Sequence, residues 1–171
     1  MYKGAVLVKY TYTHIEDYVQ ALYESIDIYH PRQLDSETIA SRLGLSITYA
    51  QVPSGTVEST IIIDERLTDP EQWQEFGHEL CHALWHTGNQ LRLPLPFRQY
   101  QEWRADLFAQ HLCIPTFMLQ KIPLNKYDSE NVRLIQETFK VKEDFSKRRY
   151  RNYKKRIKEL TIYEEKTINQ S

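Results

Sequence analysis

Residues 76–82 read Phe-Gly-His-Glu-Leu-Cys-His, so His78 and His82 stand four apart with Glu79 directly after the first. On an α-helix, side chains at this spacing share one face about 6 Å apart along the axis, and two imidazoles can converge on a single metal ion. A glutamate beside the first histidine projects to the side, within reach of a water on that ion without being a ligand. Glu79 is therefore the candidate general base. Structural zinc usually takes four protein ligands, whereas catalytic zinc takes three and keeps a position for water, so the pattern calls for one more donor.

The continuation H-x-x-G-x-x-H is not met, because Trp85 stands at the glycine position and Gly88 at the last histidine position. Twenty residues after His82, the run Glu102-Trp103-Arg104-Ala105-Asp106-Leu107-Phe108-Ala109 puts Glu102, Ala105, Asp106 and Ala109 on one helical face. The small residues let this helix lie close to the motif helix. Glu102 then serves as third ligand, and Asp106, one turn on, accepts a hydrogen bond from a ligand histidine's second nitrogen and fixes its tautomer. Two carboxylates on one face often only meet solvent or pair with Arg98 or Arg104. The companion alanines argue instead for a buried face, where unpaired carboxylates are costly. Cys113 lies about 16 Å along the axis from Glu102, too far to share the ion, and is expected to pack in the core, as is Cys81.

His86 has three readings: a ligand in an alternative His82–His86 pair, a substrate-side hydrogen-bond donor, or a helix-end cation complementing the macrodipole. His14, His30 and His111 have no partner pattern and are expected to be satisfied or solvated.

The positioning elements follow from periodicity. Residues 15–29 carry Ile15, Tyr18, Val19, Leu22, Ile26 and Tyr29 at helical spacing, and Glu37 to Leu43 form a short helix with Asp35 or Ser36 as cap and Gly44 as left-handed terminator. This pair resembles a helix-turn-helix, but Asp27, Asp35 and Glu37 deny it a basic face, which favours a scaffold role. LSITYAQV and TVESTIIID, separated by Pro53, Ser54 and Gly55, read as two strands of a small antiparallel sheet. Asp69 as N-cap and Pro70 at the first helical position start the motif helix, which runs to His86. Further helices are expected over Tyr100–Cys113, 129–139 and 144–160, with breaks at 90–98, 123–128 and 140–142.

The 171 residues suit one domain or one domain with an appendage, and a composition 41% hydrophobic and 26% charged excludes wholesale disorder. The formal net charge is −1, which taken alone argues against a binder of nucleic acid or membrane surface. It averages two unlike parts, because residues 140–171 carry eleven Lys and Arg against five acids. The division expected is a peptidase domain over 1–139 and a basic helical C-terminal extension over 140–171. Residues 147–158 alone hold eight Lys or Arg and no acid, a segment that suits a solvated helix, an anchor onto the acidic body, or a contact to DNA. The longest apolar run near the amino terminus, Ala5 to Val8, falls short of a signal-peptide core, and no stretch is long enough to span a bilayer. Two cysteines make no disulfide framework, so a reduced, cytoplasmic protein without membrane association is expected.

EFGHELCHALWH followed by EWRADLFAQHLCIPTFML resembles the two signature blocks of the ImmA/IrrE family of metallopeptidases. Glu102, Ala105, Asp106, Phe108, Ala109, Leu112 and Pro115 all fit the second block. The order of amino-terminal helices, IASRLGLSITYA and a hairpin ending in IIID is also similar. Departures are Cys81, where the family often has a small residue, and the loop 87–99. The resemblance implies a mainly helical, zincin-like α+β domain with a gluzincin-like site, in which one zinc ion is bound by His78, His82 and Glu102 and water is activated by Glu79. It further implies cleavage of a helix-turn-helix repressor, which lifts repression of a prophage or integrative element. A substrate peptide is expected to lie along the strand Thr60 to Ile63, around Ile62, by β-augmentation. The oxyanion donor is open among Tyr49, Tyr100, His86 and His111. The competing function is a metal-containing regulator that binds DNA or protein without proteolysis.

Overall fold

A computed structural model describes residues 10–85 and 94–168. The elements are α1 (His14–Ser25), a 3₁₀ turn (Pro31–Gln33), α2 (Ser36–Arg42), β1 (Ser46–Ala50), β2 (Gly55–Val57) and β3 (Thr60–Asp64). They are followed by α3 (Asp69–Trp85), α4 (Leu95–Cys113), α5 (Thr116–Leu119), α6 (Asp128–Phe139) and α7 (Glu143–Ile168). The chain is a mainly helical α+β fold with one small sheet. Among the described residues no helix is long and apolar enough to cross a membrane.

Several boundaries have local causes. Asp35 caps α2 by accepting from the Thr38 N–H at 2.8 Å, and Gly44 just beyond the helix takes φ +74°, the left-handed conformation its position calls for. The cap of α3 is Thr68 rather than Asp69: its N–H and hydroxyl both donate to Glu71, at 3.0 and 2.7 Å. Glu71 sits at the third helical position, so the two residues form one side of a capping box. α4 begins at Leu95, earlier than expected, because Pro96 falls in its first turn, where a missing N–H breaks no hydrogen bond. α5, directly after Pro115, is an element the periodicity does not announce.

The sheet corrects the expected topology. TVESTIIID is not one strand, because the chain turns at Glu58, which has φ 54°, and folds β2 back antiparallel to β3. Two reversals in succession return β3 to the direction of β1, with which it pairs in parallel. The sheet is thus mixed, in the order β1-β3-β2, and not simply antiparallel. β3 is central and paired on both edges, so the segment around Ile62 has no edge to offer a substrate strand. This overturns the expected β-augmentation there. Ile61 and Ile63 turn into the core, and β3 leads through a short turn into α3.

α3 and α4 form the centre of the molecule. Phe76, Leu80 and Cys81 of α3 pack with Ala105, Phe108, Leu112 and Cys113 of α4, all at 0% exposure. Gly77 faces the crossing: a Cβ placed there would meet Cys113 Sγ at 3.1 Å, Ala109 Cα at 3.2 Å and Ala109 Cβ at 3.3 Å. No larger residue fits without moving α4. Both cysteines are buried packing residues, as expected.

α7 is tied into this body through buried polar contacts. Arg149, 1% exposed, donates from its terminal nitrogen to Thr116 Oγ1 at 2.6 Å and from Nε to the Ile114 carbonyl at 3.2 Å. The Thr116 hydroxyl donates on to Glu16 Oε1 at 2.6 Å, and Tyr10 adds a second hydroxyl at 2.7 Å. The other Glu16 oxygen caps α1, accepting from the N–H and hydroxyl of Thr13 at 2.8 Å each. Burial pushes the Glu16 carboxyl up, but the bonds from Thr116, Thr13 and Tyr10 together hold it below the ordinary carboxylate range. Phe145, Tyr150 and Tyr153 of α7 complete the core, and Tyr150 accepts from Asn131 of α6 at 2.7 Å. Phe139 and Val141, on either side of the expected division at 139–140, are both buried in this core.

Replacing Arg149 by Ala strands the Glu16 carboxylate in the interior and should cost about 3–5 kcal/mol, read as a lowered denaturation midpoint. Because the folded Glu16 pKa is depressed, its contribution is present above the unfolded value of about 4.3 and lost as pH falls through the folded one. The stability gap between wild type and Glu16→Gln should therefore be full at pH 7 and shrink on acidification through the carboxylate range. Gly77→Val should destabilise by about 1–3 kcal/mol through overpacking at the α3–α4 crossing, in the same denaturation experiment.

Candidate metal centre

The α3–α4 crossing brings the spaced residues of the two helices together. His78 Nε2 lies 3.1 Å from His82 Nε2 and 3.2 Å from Glu102 Oε2, and His82 Nε2 lies 3.7 Å from Glu102 Oε1. Taking one donor atom from each residue, the three lie within 4.8 Å of one another, close to the separation of about 3.3 Å between ligands held 2.0–2.1 Å from a tetrahedral metal. Two facing imidazole nitrogens and a carboxylate at this distance form a donor set that a divalent cation fits. Among the described residues, His78, His82 and Glu102 are the group of this kind able to hold a metal.

The imidazole of His78 is aimed from behind. Its Nδ1 is 3.0 Å from Asp106 Oδ1, which places the proton on Nδ1 and leaves the Nε2 lone pair toward the ion. The carboxylates are the open side of the centre: Glu102 and Asp106 are exposed, whereas His82 is only 6% exposed.

Glu79 is buried beside this group and is not one of its three donors. Thr56 of β2 donates its hydroxyl to Glu79 Oε2 at 2.9 Å and lies 3.1 Å from the Glu79 main-chain carbonyl. Burial raises the Glu79 pKa above the ordinary carboxylate range; the Thr56 bond and His78 pull it back, while Glu75 and Glu102 add to the rise. A carboxyl so placed can accept a proton without coordinating metal. Thr56 is the residue that sequence reasoning missed. Its signal was a threonine in a short strand ahead of the motif, and only the pairing of β2 beside α3 turns that into a contact.

The remaining candidates are spread out. Tyr49 is exposed on β1, at the far side of the sheet from β2. Tyr100 is exposed and stacks on Trp103. His14 and His30 are exposed, as expected, but His111 is buried, and among the described residues its Nδ1 has no hydrogen-bond partner. Burial first, and then the Arg149 guanidinium, push its pKa down to about 3, so it is neutral. His86 lies outside the described residues, as does most of the loop 87–99.

The chain matches the Peptidase_M78 profile, described as the IrrE N-terminal-like domain, over residues 33–151. That span contains His78, Glu79, His82, Glu102 and Asp106, and it runs into α7. Two relatives from Bacillus subtilis (strain 168) are each 34% identical to it. One, named "Uncharacterized protein YqaB", aligns over 154 residues, 88% of this chain and 90% of its own. The other, named "Phage-like element PBSX protein XkdA", aligns over 148 residues, 84% of this chain and 75% of its own. A profile match over most of the chain, two relatives at 34% identity aligned over more than four-fifths of it, and the signature residues gathered at one helix crossing show that the chain belongs to the ImmA/IrrE family of peptidases.

Proposed function

We propose that this protein is a cytoplasmic zinc-dependent endopeptidase that cleaves a helix-turn-helix repressor and so relieves repression of a prophage or mobile element. The observation that carries the enzymatic part is the site itself: three donors gathered within 4.8 Å, with a further residue, Glu79, buried beside them and hydrogen-bonded by Thr56. A structural metal site has no use for such a glutamate. The phage element in the name of one relative supports the biological setting.

His78, His82 and Glu102 would hold the ion. Bound there, zinc supplies a Lewis acid that polarises the scissile carbonyl and makes the attacking water acidic. Glu79 takes the proton of that water and delivers it to the leaving amine. Asp106 keeps the His78 proton on Nδ1 throughout. Thr56 holds the Glu79 carboxylate toward the centre, and the buried position of Glu79 keeps bulk water from competing for its lone pairs.

Three measurements test this reading. The purified protein should hold about one equivalent of zinc, as catalytic sites do, and His82→Ala should lose it. Incubated with the repressor encoded nearest its gene, the wild type should produce two fragments, and a chelator should abolish them. Glu79→Gln should keep the metal and lose cleavage by roughly 10²–10⁴-fold, the usual contribution of a general base. Cleavage that survives in Glu79→Gln would sink the mechanism; salt-sensitive DNA binding with no cleavage would favour a regulator without proteolysis.

Thr56→Val should lower kcat by roughly 10–150-fold with little change in KM, as expected for the loss of one hydrogen bond to a charged group, and Thr56→Ser should restore it.

A further inference from the structure

A pocket of about 340 Å³ opens between the start of α1, the second half of α4 and the middle of α7. Its deep lining is polar: Glu16, His111 and Arg149 are 4%, 9% and 1% exposed. Ile15 and Leu107 supply apolar walls, and Lys155 and Glu159, both exposed, stand at the mouth. His111 comes nine residues after Glu102 on α4, about two and a half helical turns, so it lies on the face of that helix turned away from the metal centre.

The hydrogen-bonding capacity left unused in this pocket is donor capacity. Glu16 accepts twice from Thr13 and once each from Tyr10 and Thr116, which fills the roughly four lone-pair sites of a carboxylate. A cationic ligand finds no free acceptor in it. His111 Nδ1 is shut off from solvent and has no partner among the described residues. The neutral ring carries one proton, and an unpaired N–H is worse tolerated in the interior than a bare lone pair, so the proton belongs on Nε2 and the ring meets the pocket as a donor. Arg156 donates from Nη2 to the Thr11 carbonyl at 3.1 Å, while its buried Nε has no partner among the described residues. Lys155 reaches Glu159 only at 3.9 Å, and an ion pair this exposed is weakly held. The lining sets three cations, Arg149, Lys155 and Arg156, against two acids, Glu16 and Glu159, a surplus of one positive charge.

We propose that this pocket is a binding site for a small organic monocarboxylate, whose carboxylate accepts from His111, Arg156 and Lys155 and whose hydrocarbon part lies against Ile15 and Leu107. One negative charge matches the surplus, and charge-assisted hydrogen bonds engage donors that the protein itself leaves unpaired. The volume stands at the lower end of small-molecule sites, which limits the ligand to a short chain or a single ring. The site is separate from the metal centre and does not depend on the peptidase reading.

Benzoate and hexanoate are the probes, titrated into the zinc-loaded full chain and followed by calorimetry and by proton–nitrogen spectra of the histidine rings. Both should bind saturably, and the His111 resonances should shift while showing the proton on Nε2. Benzamide, benzylamine and inorganic phosphate should each bind more weakly than benzoate by about tenfold or more. His111→Phe and Arg156→Met, each checked for folding by thermal denaturation, should weaken benzoate binding by a similar factor, the loss of one hydrogen bond to a charged group. His82→Ala, which removes a ligand of the metal centre, should leave it unchanged. Unchanged affinity in either variant once folded, benzamide or phosphate binding as tightly as benzoate, or no saturable binding of either carboxylate would overturn the site. Binding lost in His82→Ala but kept in His111→Phe would place the carboxylate on the zinc and overturn it as well.

Discussion

The distance between α3 and α4 governs the rest of the structure. Two of the three metal-binding donors come from one helix and would be neighbours in any helical context, but Glu102 comes from another helix, twenty residues further on. Only packing brings it within 3.2 Å of His78. That packing depends on the absence of side chains: Gly77 on one helix, Ala105 and Ala109 on the other. A methyl group at Gly77 would already crowd Ala109. The flanking large residues, Phe76, Leu80, Phe108 and Leu112, exclude water and supply the attraction, while the small ones set the distance. Chemistry and packing are therefore one constraint, because a wider crossing separates the carboxylate from the imidazoles before it unfolds anything.

This explains why the centre was legible in the sequence. Ligand spacing on a helix is local information, and Ala105 and Ala109 beside Glu102 and Asp106 announced a face meant for close approach. The helices were legible for the same reason, with errors confined to their ends, where capping decides: Thr68 takes the role assigned to Asp69 because Glu71 lies three residues on to complete it. The sheet was not legible to the same degree. Whether nine β-prone residues make one strand or a hairpin depends on Glu58 adopting a left-handed conformation, which its residue type does not favour. Parallel pairing of β1 with β3 depends in turn on that hairpin. Thr56 was invisible for a related reason, since it meets Glu79 only through a contact between segments 23 residues apart in the chain.

The charge asymmetry that set residues 140–171 apart concealed their packing. Net charge counts Arg149 like any exposed cation although it is buried, and it is blind to Phe145, Tyr150 and Tyr153, which close the core. The buried Arg149–Thr116–Glu16 chain joins α7, α5 and α1 in one network, and Glu16 also completes the capping box of its own helix with Thr13. A helix that reads as an appendage by composition is a wall of the central body by contact, and the family match running to residue 151 includes that part.

The same network bears on how the cleft around the metal centre can move. On one side stand α3, α4 and α7, helices of 17, 19 and 26 residues held by core packing and by a buried guanidinium. On the other stands β2, three residues long, paired along one edge to β3 and reaching α3 through the Thr56 hydroxyl. The free energy of local opening is lowest where the fewest contacts are broken. Loosening beside Glu79 therefore falls to the hairpin, and because Thr56 rides on it, each such excursion breaks the hydrogen bond that holds the Glu79 carboxylate.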